Sequence, residues 1–418
     1  MYYALVKPFA DVFGPSPVVL RLPSAVAAGV VTTATVMLAW TLAGRRTAWL
    51  AGVLIATMPV VLGGATEARS PMLVAAVVTL ASGFLVIGMR RGGWWWLAYG
   101  VALTAIAALS LVALTIIAAH ALTIAWSRSS RTVWTRWVGV VALVVALVAP
   151  LVVIGAGQSA QISWIPPLTP VRFVGTFAAA AWFDEAIIVG ALTWMAILAG
   201  LVPLRSLVEQ PPLVLLALPW LIVPGVCLAL VSWIATPVFA PRYLAFCAPA
   251  AAMLAATGLV RLPRAARILL LGAIVVSCGF VAVEQRGRFA QESSDWKAAA
   301  SRLESSATEG DAVVFVPDGG EPRSPRRALE AYPSEFERLR DVGIVSSAQE
   351  SDAMWGRGAD LSTSADELRA SGRSWALVAR GRVNSVDRAN ELFAREGLRA
   401  TLAWSGPSTF LFRLTPLE

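Results

Sequence analysis

The chain is 418 residues long, and 57% of it is hydrophobic while only 14% is charged. Because soluble globular chains carry roughly 25% charged residues, this composition excludes a wholly soluble protein. The formal net charge of +8 comes almost entirely from arginine. No Lys/Arg-rich run with interleaved aromatic residues occurs, so we expect no nucleic-acid partner.

The shortage of charge is uneven and indicates three parts of the chain. Residues 1–22 contain no signal peptide, and Ala4–Phe13 is typical of a helix lying at an outer membrane interface. Residues 23–284 alternate apolar runs with short loops, which predicts a transmembrane domain. Residues 285–418 have the composition of a soluble domain. The predicted fold class is therefore a polytopic α-helical membrane protein with a small C-terminal α/β domain.

Ten apolar runs predict about ten crossings of a bilayer, each of which takes roughly 20 residues. The longest run covers 33 residues, which at 1.5 Å per residue is about 50 Å and too long for one crossing. We therefore divide it near Leu109–Ser110 into two. The predicted spans are Pro23–Gly44, Thr47–Gly64, Pro71–Met89, two within Trp94–Trp126, Trp137–Ile154, Ala186–Leu204, Pro212–Trp233, Tyr243–Val260 and Ile268–Val283.

The arginines support this count and give it a direction. With ten crossings, the alternate loops on one side hold only Arg69, Arg172 and Arg242. Loops rich in Lys and Arg stay in the cytoplasm, so the arginine-poor side is predicted to be the outer side of the cytoplasmic membrane. Both the N-terminus and residues 285–418 are then extracytoplasmic. The arginine-rich loops carry Arg45, Arg46, Arg90, Arg91, Arg128, Arg131, Arg136, Arg205, Arg261, Arg264 and Arg267.

A few polar side chains on the predicted outer side are candidates for a binding site, because charges near the membrane plane are costly and tend to be functional. Glu67 and Arg69 lie between two spans, and Arg242 with Tyr243 lies at the start of another. The planar fork of arginine suits a phosphate, so this group is predicted to bind a lipid phosphate or other substrate. Taken singly, each is more often an interfacial anchor.

Two further groups on the same side are candidates for contact with a sugar or an acceptor. Gln161 and Trp164 belong to a loop that ends in two prolines, where the tryptophan is either a membrane-belt residue or a platform for a sugar or lipid. Asp184 and Glu185 directly precede a span.

No metal-ligating cluster is visible in the sequence. His120 is the only histidine and lies within an apolar run, and the three cysteines are typical of small core residues. No P-loop, GxGxxG, HExxH or GxSxG motif occurs in a convincing context. The sequence therefore predicts no metal site, although a divalent metal ion is left open by the family resemblance described next.

Seven short motifs occur in an order and spacing that are moderately specific, although each motif is weak singly. They are Tyr2–Leu5, Val12–Ser16, Leu20–Ala25, Glu67–Arg69, Gln161–Pro167, Ala240–Tyr243 and Asp295–Trp296. Together they resemble the GT-C membrane glycosyltransferases, in particular the bacterial family-39-like enzymes that are similar to protein O-mannosyltransferases. The resemblance covers most of the chain.

The resemblance implies a polytopic inverting enzyme that moves a sugar from a polyprenyl-phosphate carrier to an acceptor on the outer face of the membrane. The sugar would be a hexose or a pentose, with mannose as one candidate, and the acceptor a glycan, a lipid or a protein. A carboxylate would act as general base and basic side chains would hold the lipid phosphate.

Three departures from the family pattern affect the expected chemistry. The chain begins after the position of the family's first helix and first outer loop, so we expect the catalytic carboxylate to lie upstream of Met1 and leave the catalytic residue unknown. Ser70–Pro71 stand where the family commonly has a tyrosine, and Leu109–Leu111 stand where it has an aromatic residue and a histidine. Sugar transfer is accordingly expected once the missing N-terminus is restored.

Two other interpretations stay open. A catalytically inactive relative would bind lipid carriers or protein partners without transferring a sugar. A transporter is disfavoured, because transporters typically show inverted repeats and broken helices at the midplane, whereas this sequence has no repeat and its polar residues cluster on one side.

The C-terminal part predicts a small layered α/β unit. Ser294 or Asp295 is expected to cap a helix that ends near Ser305. Apolar runs predict strands at Ala312–Val316 and Trp375–Ala379. Further along, Ser385 is expected to cap a helix that ends at Gly397, followed by a hairpin of Leu398–Trp404 and Thr409–Leu414.

Overall fold

The computed structural model describes residues 2–14, 16–156, 165–201, 212–287, 289–290, 294–318, 324–347, 350, 356–383 and 385–417. The chain forms two compact units, Met1–Gln285 and Arg286–Glu418. Gln161, Trp164 and Arg205 lie outside the described residues.

Unit 1 is helical. Its helices, in chain order, are α1 Tyr2–Phe13, α2 Pro17–Ala43, α3 Arg45–Thr57, α4 Pro59–Ala65, α5 Pro71–Arg91, α6 Trp95–Leu109, α7 Ile116–Trp126, α8 Arg131–Ala156, α9 Pro170–Gly175, α10 Ala181–Phe183, α11 Ile187–Leu201, α12 Pro212–Ile234, α13 Ala248–Arg261 and α14 Arg264–Glu284. Short 3₁₀ turns at Leu111–Thr115 and Pro241–Cys247 lead into α7 and α13, and a π turn at Thr176–Ala180 joins α9 to α10.

The predicted crossings correspond to three kinds of helical segment. Within the described residues, six helices are long and apolar enough to cross a membrane, and up to eight segments are if each of two bent pairs counts as one span. The remaining two, Trp95–Leu109 and Leu111–Trp126, are shorter apolar helices. The protein is thus a multi-pass membrane protein, and a break at Ser110 divides the long apolar run as predicted.

Proline and backbone conformation explain where the helices break. Pro59 begins α4 directly after α3, and the two helices meet at 55°. Asp184 and Glu185 have φ of 54° and 61°, a left-handed conformation that ends α10. The segments Pro170–Phe183 and Ile187–Leu201 consequently meet at 96°. These breaks place loops at the ends of the bundle.

The centre of unit 1 is packed through small residues. In the segment Pro241–Arg261, 89% of the apolar stretch is buried. A Cβ atom at Gly258 would lie 1.8 Å from the carbonyl oxygen of Ala196, so glycine is required for α13 and α11 to approach this closely. Close backbone approach through small residues is typical of helix packing in membranes.

Two helices lie at the periphery of unit 1. Only 11% of the apolar stretch of α8 and 22% of that of α14 is buried within the protein. Their exposed apolar side chains, including Leu147 and Phe280, are those expected of a surface that faces lipid.

Unit 2 is built on a five-stranded sheet in the order β2-β1-β5-β7-β6. The first three strands are parallel and the last two form an antiparallel hairpin. The strands are β1 Ala312–Val316, β2 Arg340–Asp341, β5 Ser374–Ala379, β6 Leu398–Ser405 and β7 Thr409–Pro416, with β3 Ile344–Ser346 and β4 Arg357–Gly358 in a separate pair; the helices are α15 Trp296–Ser306, α16 Arg327–Ala331, α17 Leu361–Ala370 and α18 Val386–Arg395, with a 3₁₀ turn at Pro333–Phe336.

The predicted α/β unit is confirmed, with one correction at its first helix. Ser385 caps α18 by accepting a hydrogen bond from the Arg388 amide at 3.3 Å. Asp295, however, makes no side-chain cap for α15. Its carboxylate instead accepts hydrogen bonds from the backbone of Ser408 and Thr409 at 2.9 and 3.0 Å. The turn of the β6–β7 hairpin supplies two adjacent amides, which compete successfully with the helix end for this buried carboxylate.

Candidate functional site

Unit 1 contains a cavity of about 460 Å³, which we call the arginine cavity. Two charged side chains among the described residues line it, Arg69 and Arg242, which come from separate parts of the chain. The described residues of the lining are Tyr2, Tyr3, Arg69, Ser70, Pro71, Val74, Leu109, Ser110, Arg242, Tyr243 and Phe246.

Arg69 is held by its backbone. It precedes Ser70–Pro71, where α5 begins, and its carbonyl oxygen accepts a hydrogen bond of 3.1 Å from the Ser24 hydroxyl on α2. The side chain is exposed. Within the described residues no hydrogen bond or ion pair is found for its guanidinium, which leaves that group available to a ligand.

Arg242 lies on the 3₁₀ turn Pro241–Cys247, which is fixed by two buried tryptophans. The indole of Trp182 donates to the Leu244 carbonyl at 2.9 Å, and that of Trp220 donates to the Phe246 carbonyl at 3.0 Å. The Arg242 guanidinium lies 5.4 Å from the centre of the Tyr243 ring. A cation over an aromatic ring is attracted by the negative face of that ring.

The wall between the arginines combines hydroxyl groups with apolar side chains. Ser110 stands at the break between α6 and α7, where helix termini bring it to the end of the bundle. Tyr3 and Ser70 add further hydroxyl groups, whereas Val74 and Phe246 are apolar. The described lining residues include two cations and no carboxylate, so they favour an anionic group, and their apolar side chains accommodate hydrocarbon beside that anion.

The structure brings three of the predicted phosphate-binding residues together and separates a fourth. Arg69, Arg242 and Tyr243 line the arginine cavity. Glu67 is half-buried two residues before Arg69 and does not line it. Gln161 and Trp164, predicted to contact a sugar or acceptor, are outside the described residues.

Asp184 and Glu185 occupy a different position in unit 1. Neither lines the arginine cavity. The Asp184 carboxylate accepts a hydrogen bond of 2.9 Å from Gln285, whose amide nitrogen also lies 3.2 Å from the Pro59 carbonyl. Since non-glycine residues avoid positive φ, their adjacent left-handed conformations store strain at the bend between α10 and α11. The two acids are thus placed beside the start of α4.

Sequence reasoning missed the positioning residues of the cavity. Ser24, Trp182 and Trp220 are all fully buried, and each donates to a backbone carbonyl of a cavity segment. The sequence around a serine or tryptophan in an apolar run does not indicate which group accepts its hydrogen bond. The Tyr2–Tyr3 and Leu20–Ala25 motifs were the sequence features that pointed to this part of the chain.

The remaining polar groups of the described residues include no metal-ligating cluster. Within the described residues, no group of three or more His, Cys, Asp or Glu side chains could hold a metal ion. In unit 2, Arg326 binds Asp318 and Asp341. Burial raises the pKa of Asp318 against the opposing effect of Arg326. This closed ion-paired set has the properties of a packing cluster.

The fold is similar to that of a solved protein, ArnT. Over 99% of this chain and 86% of the other, the structure is similar to ArnT from Cupriavidus metallidurans in the apo state, with a TM-score of 0.59 and 14% identity. The same enzyme bound to undecaprenyl phosphate gives a TM-score of 0.61 with 15% identity, over 99% and 87% of the two chains.

Comparisons of sequence alone find nothing: no family model and no curated protein matches this chain. The likeness to ArnT shows that this chain has the same fold as that enzyme. The bound undecaprenyl phosphate is an observation on ArnT.

Proposed function

We propose that this protein is a membrane glycosyltransferase that moves a sugar from a polyprenyl-phosphate carrier to an acceptor. The donor sugar is a hexose or a pentose, and the acceptor is a glycan, a lipid or a protein. The reaction takes place on the outer face of the cytoplasmic membrane, with unit 2 on the same side. The arginine distribution of the loops supports this orientation.

The arginine cavity is the observation that carries the proposal. It combines two guanidinium groups, several hydroxyl groups and an apolar wall, in a protein with the GT-C fold. A polyprenyl phosphate joins an anion to a long hydrocarbon chain, so its two parts match the two kinds of lining. ArnT, which has a similar structure, has been solved with undecaprenyl phosphate bound.

In the proposed reaction, Arg69 and Arg242 stabilise the leaving group. The bond between the sugar C1 and the phosphate oxygen breaks, and the phosphate leaves with the electron pair. The acceptor oxygen forms the new bond to C1 and gives its proton to a base that we do not assign. Cations aimed at the developing phosphate charge lower the barrier, because they interact more strongly with the leaving group than with the intact diester.

The proposal is tested by transfer assays on the full chain in nanodiscs. Undecaprenyl-phosphate-linked hexoses and pentoses, mannose included, are supplied with a cell-envelope fraction as the source of acceptors. We expect turnover of at least one donor, measured as released undecaprenyl phosphate. Arg69→Ala and Arg242→Ala should each reduce this turnover by roughly 100-fold. Glu67→Gln should cause a smaller loss, because Glu67 does not line the cavity.

A matched control is Arg172→Ala, which removes an arginine of the predicted outer side that does not line the cavity. It should transfer at the wild-type rate. Wild-type rates for both cavity variants would refute the assignment of Arg69 and Arg242. Failure of the wild-type chain to bind or turn over any polyprenyl-phosphate donor would refute the proposed function itself.

A further inference from the structure

We propose that Tyr2 and Ser24 are positioning residues that hold Arg69 at the arginine cavity, through a hydrogen-bonded path from α1 through α2 to the loop before α5. The inference rests on the proposed function, because its readout is the binding of a lipid phosphate.

The path consists of three hydrogen-bond contacts. The Tyr2 hydroxyl donates to the Leu20 carbonyl oxygen at 3.3 Å and also lies 3.3 Å from the Ser24 hydroxyl. The Ser24 hydroxyl donates to the carbonyl oxygen of Arg69 at 3.1 Å. Because each hydroxyl has one proton, the Tyr2 hydroxyl is shared between Leu20 and Ser24, and Ser24 connects Tyr2 to the Arg69 carbonyl.

Burial makes this path costly to break. Ser24 is 0% exposed and Tyr2 is 7% exposed. A buried hydroxyl that loses its partner keeps its desolvation penalty. The path therefore restricts the position of the Arg69 backbone more strongly than a surface hydrogen bond would.

Ser24 differs from the threonines of its own helix. Thr32, Thr35 and Thr41 each donate to the carbonyl four residues earlier on α2, which is the default for a hydroxyl in a membrane helix. Ser24 instead donates across 45 residues of sequence to a cavity residue. A hydroxyl that needed only an acceptor for its proton could donate within α2, as these threonines do.

The position of the Arg69 backbone matters because its side chain is exposed. Within the described residues no hydrogen bond or ion pair orients the guanidinium, so its direction depends on the segment that carries it. Tyr3 follows Tyr2 directly in the chain. Tyr2 is buried against α2, whereas Tyr3 is 70% exposed and lines the cavity.

This arrangement also connects three stretches that are far apart in sequence. Tyr2 belongs to the Tyr2–Leu5 motif, Ser24 to the Leu20–Ala25 motif and Arg69 to the Glu67–Arg69 motif. In the structure, one hydrogen-bonded path joins all three. Ser24 thus acts on the cavity through the Arg69 backbone, while Arg69 and Tyr3 line the cavity with exposed side chains.

The test measures the affinity of the full chain in nanodiscs for undecaprenyl phosphate, with undecaprenol as the lipid that lacks the phosphate. Ser24→Ala and Tyr2→Phe should each weaken binding of the phosphate about 3- to 10-fold, the loss expected for one buried hydrogen bond. Undecaprenol binding should not change. Thr35→Val is the matched control, because it removes a buried α2 hydroxyl that bonds only its own helix, and it should bind like the wild type.

A double-mutant cycle separates positioning from general loss of structure. Adding Ser24→Ala to Arg69→Ala should cause no further loss of phosphate binding, because Ser24 acts through Arg69. If the losses of affinity in the two single variants multiply in the double variant, the inference is overturned. If Ser24→Ala does not fold, Tyr2→Phe takes its place in the cycle, since it retains the ring and removes only the hydroxyl.

The two proposals fail in distinguishable ways. Wild-type affinity in Ser24→Ala and Tyr2→Phe, together with weakened binding in Arg69→Ala, would overturn the positioning role and leave the proposed function standing. Wild-type affinity in both Arg69→Ala and Arg242→Ala would overturn the assignment of the phosphate site, and absence of polyprenyl-phosphate binding and turnover in the wild-type chain would overturn the proposed function.

Discussion

At the scale of single residues, the arginine cavity depends on guanidinium chemistry as well as on charge. Arg242 lies over the Tyr243 ring at 5.4 Å and presents a planar group that can bond two phosphate oxygens at once. Lysine has the same charge but neither the fork nor the planar stacking surface. Replacing Arg242 with lysine therefore tests whether the phosphate is recognised by paired hydrogen bonds or by charge alone.

Arg242→Lys is expected to bind undecaprenyl phosphate about fivefold or more weakly than the wild type, and more tightly than Arg242→Ala. The dissociation constants of the three proteins would be measured at two ionic strengths. Since bidentate hydrogen bonds are screened less than bare charge, the advantage of arginine over lysine should persist in high salt. Equal affinity of the arginine and lysine proteins would show that charge alone is used.

The sequence predicts the charged residues of the cavity and not the neutral ones that hold them. Arg69, Arg242 and Tyr243 were recognisable because charge and an aromatic hydroxyl are rare beside apolar runs. Ser24 is one of many small polar residues in apolar helices, and the direction of its hydrogen bond depends on how α2 packs. Glu67 and Arg69 are two residues apart, yet only Arg69 lines the cavity, because spacing in a loop does not determine side-chain direction.

At the scale of elements, a buried polar network joins four helices of unit 1. Ser82 donates to the Val78 carbonyl at 2.9 Å, so His120 Nε2, 3.0 Å away, must donate to Ser82. His120 Nδ1 then accepts from the Tyr99 hydroxyl at 2.9 Å, and that oxygen accepts from Trp137 at 3.3 Å. The contacts thus specify a neutral His120 with its proton on Nε2. Every link has a donor and an acceptor, which fixes α5, α6, α7 and α8 against one another.

His120→Leu should destabilise unit 1 without altering the ligand site. It leaves the hydroxyls of Ser82 and Tyr99 short of one buried partner each, at a cost of about 1–3 kcal/mol per unsatisfied group. Thermal unfolding in detergent should show a lower midpoint, while undecaprenyl phosphate affinity below that midpoint stays at the wild-type value. The control is Thr123→Val on the same helix, whose hydroxyl bonds only the Ala119 carbonyl. An unchanged midpoint in His120→Leu would contradict this role of the network.

Element boundaries in the sequence are well predicted wherever a local signal determines them. The break at Ser110 follows from the length limit of a single crossing, and β1 at Ala312–Val316 from a purely apolar run. The cap at Asp295 was wrong because its true partners, Ser408 and Thr409, are more than 100 residues away. The bend at Asp184–Glu185 was also missed, since nothing in those residue types requires a positive φ.

At the scale of the whole molecule, the loops that the sequence places outside contribute to one cavity. Residues from α1, from the loop before α5, from the Ser110 break and from the Pro241–Cys247 turn meet there. The arginine distribution of the sequence predicts that all four of these segments lie on the same side of the membrane. Loop charge thus predicts sidedness, because it reflects insertion, whereas the packing of the helices cannot be deduced from it.

This sidedness predicts the labelling of introduced cysteines by a membrane-impermeant maleimide in intact cells. Ser362→Cys, on α17 in unit 2, should be labelled without permeabilisation. Ser130→Cys, in an arginine-rich loop, should be labelled only after permeabilisation. Both positions are exposed, and Cys247 and Cys278 are buried while Cys227 is half-buried, so little background labelling is expected. The reverse pattern would place unit 2 in the cytoplasm.

Binding of the lipid phosphate between Arg69 and Arg242 is tested most directly by an experimental structure of the full chain with undecaprenyl phosphate. We expect density for the phosphate in the arginine cavity, within hydrogen-bond distance of the Arg69 and Arg242 guanidiniums, and density for the hydrocarbon chain along the apolar side chains of the lining. Phosphate density elsewhere, with no ligand density between Arg69 and Arg242, would contradict the proposed site.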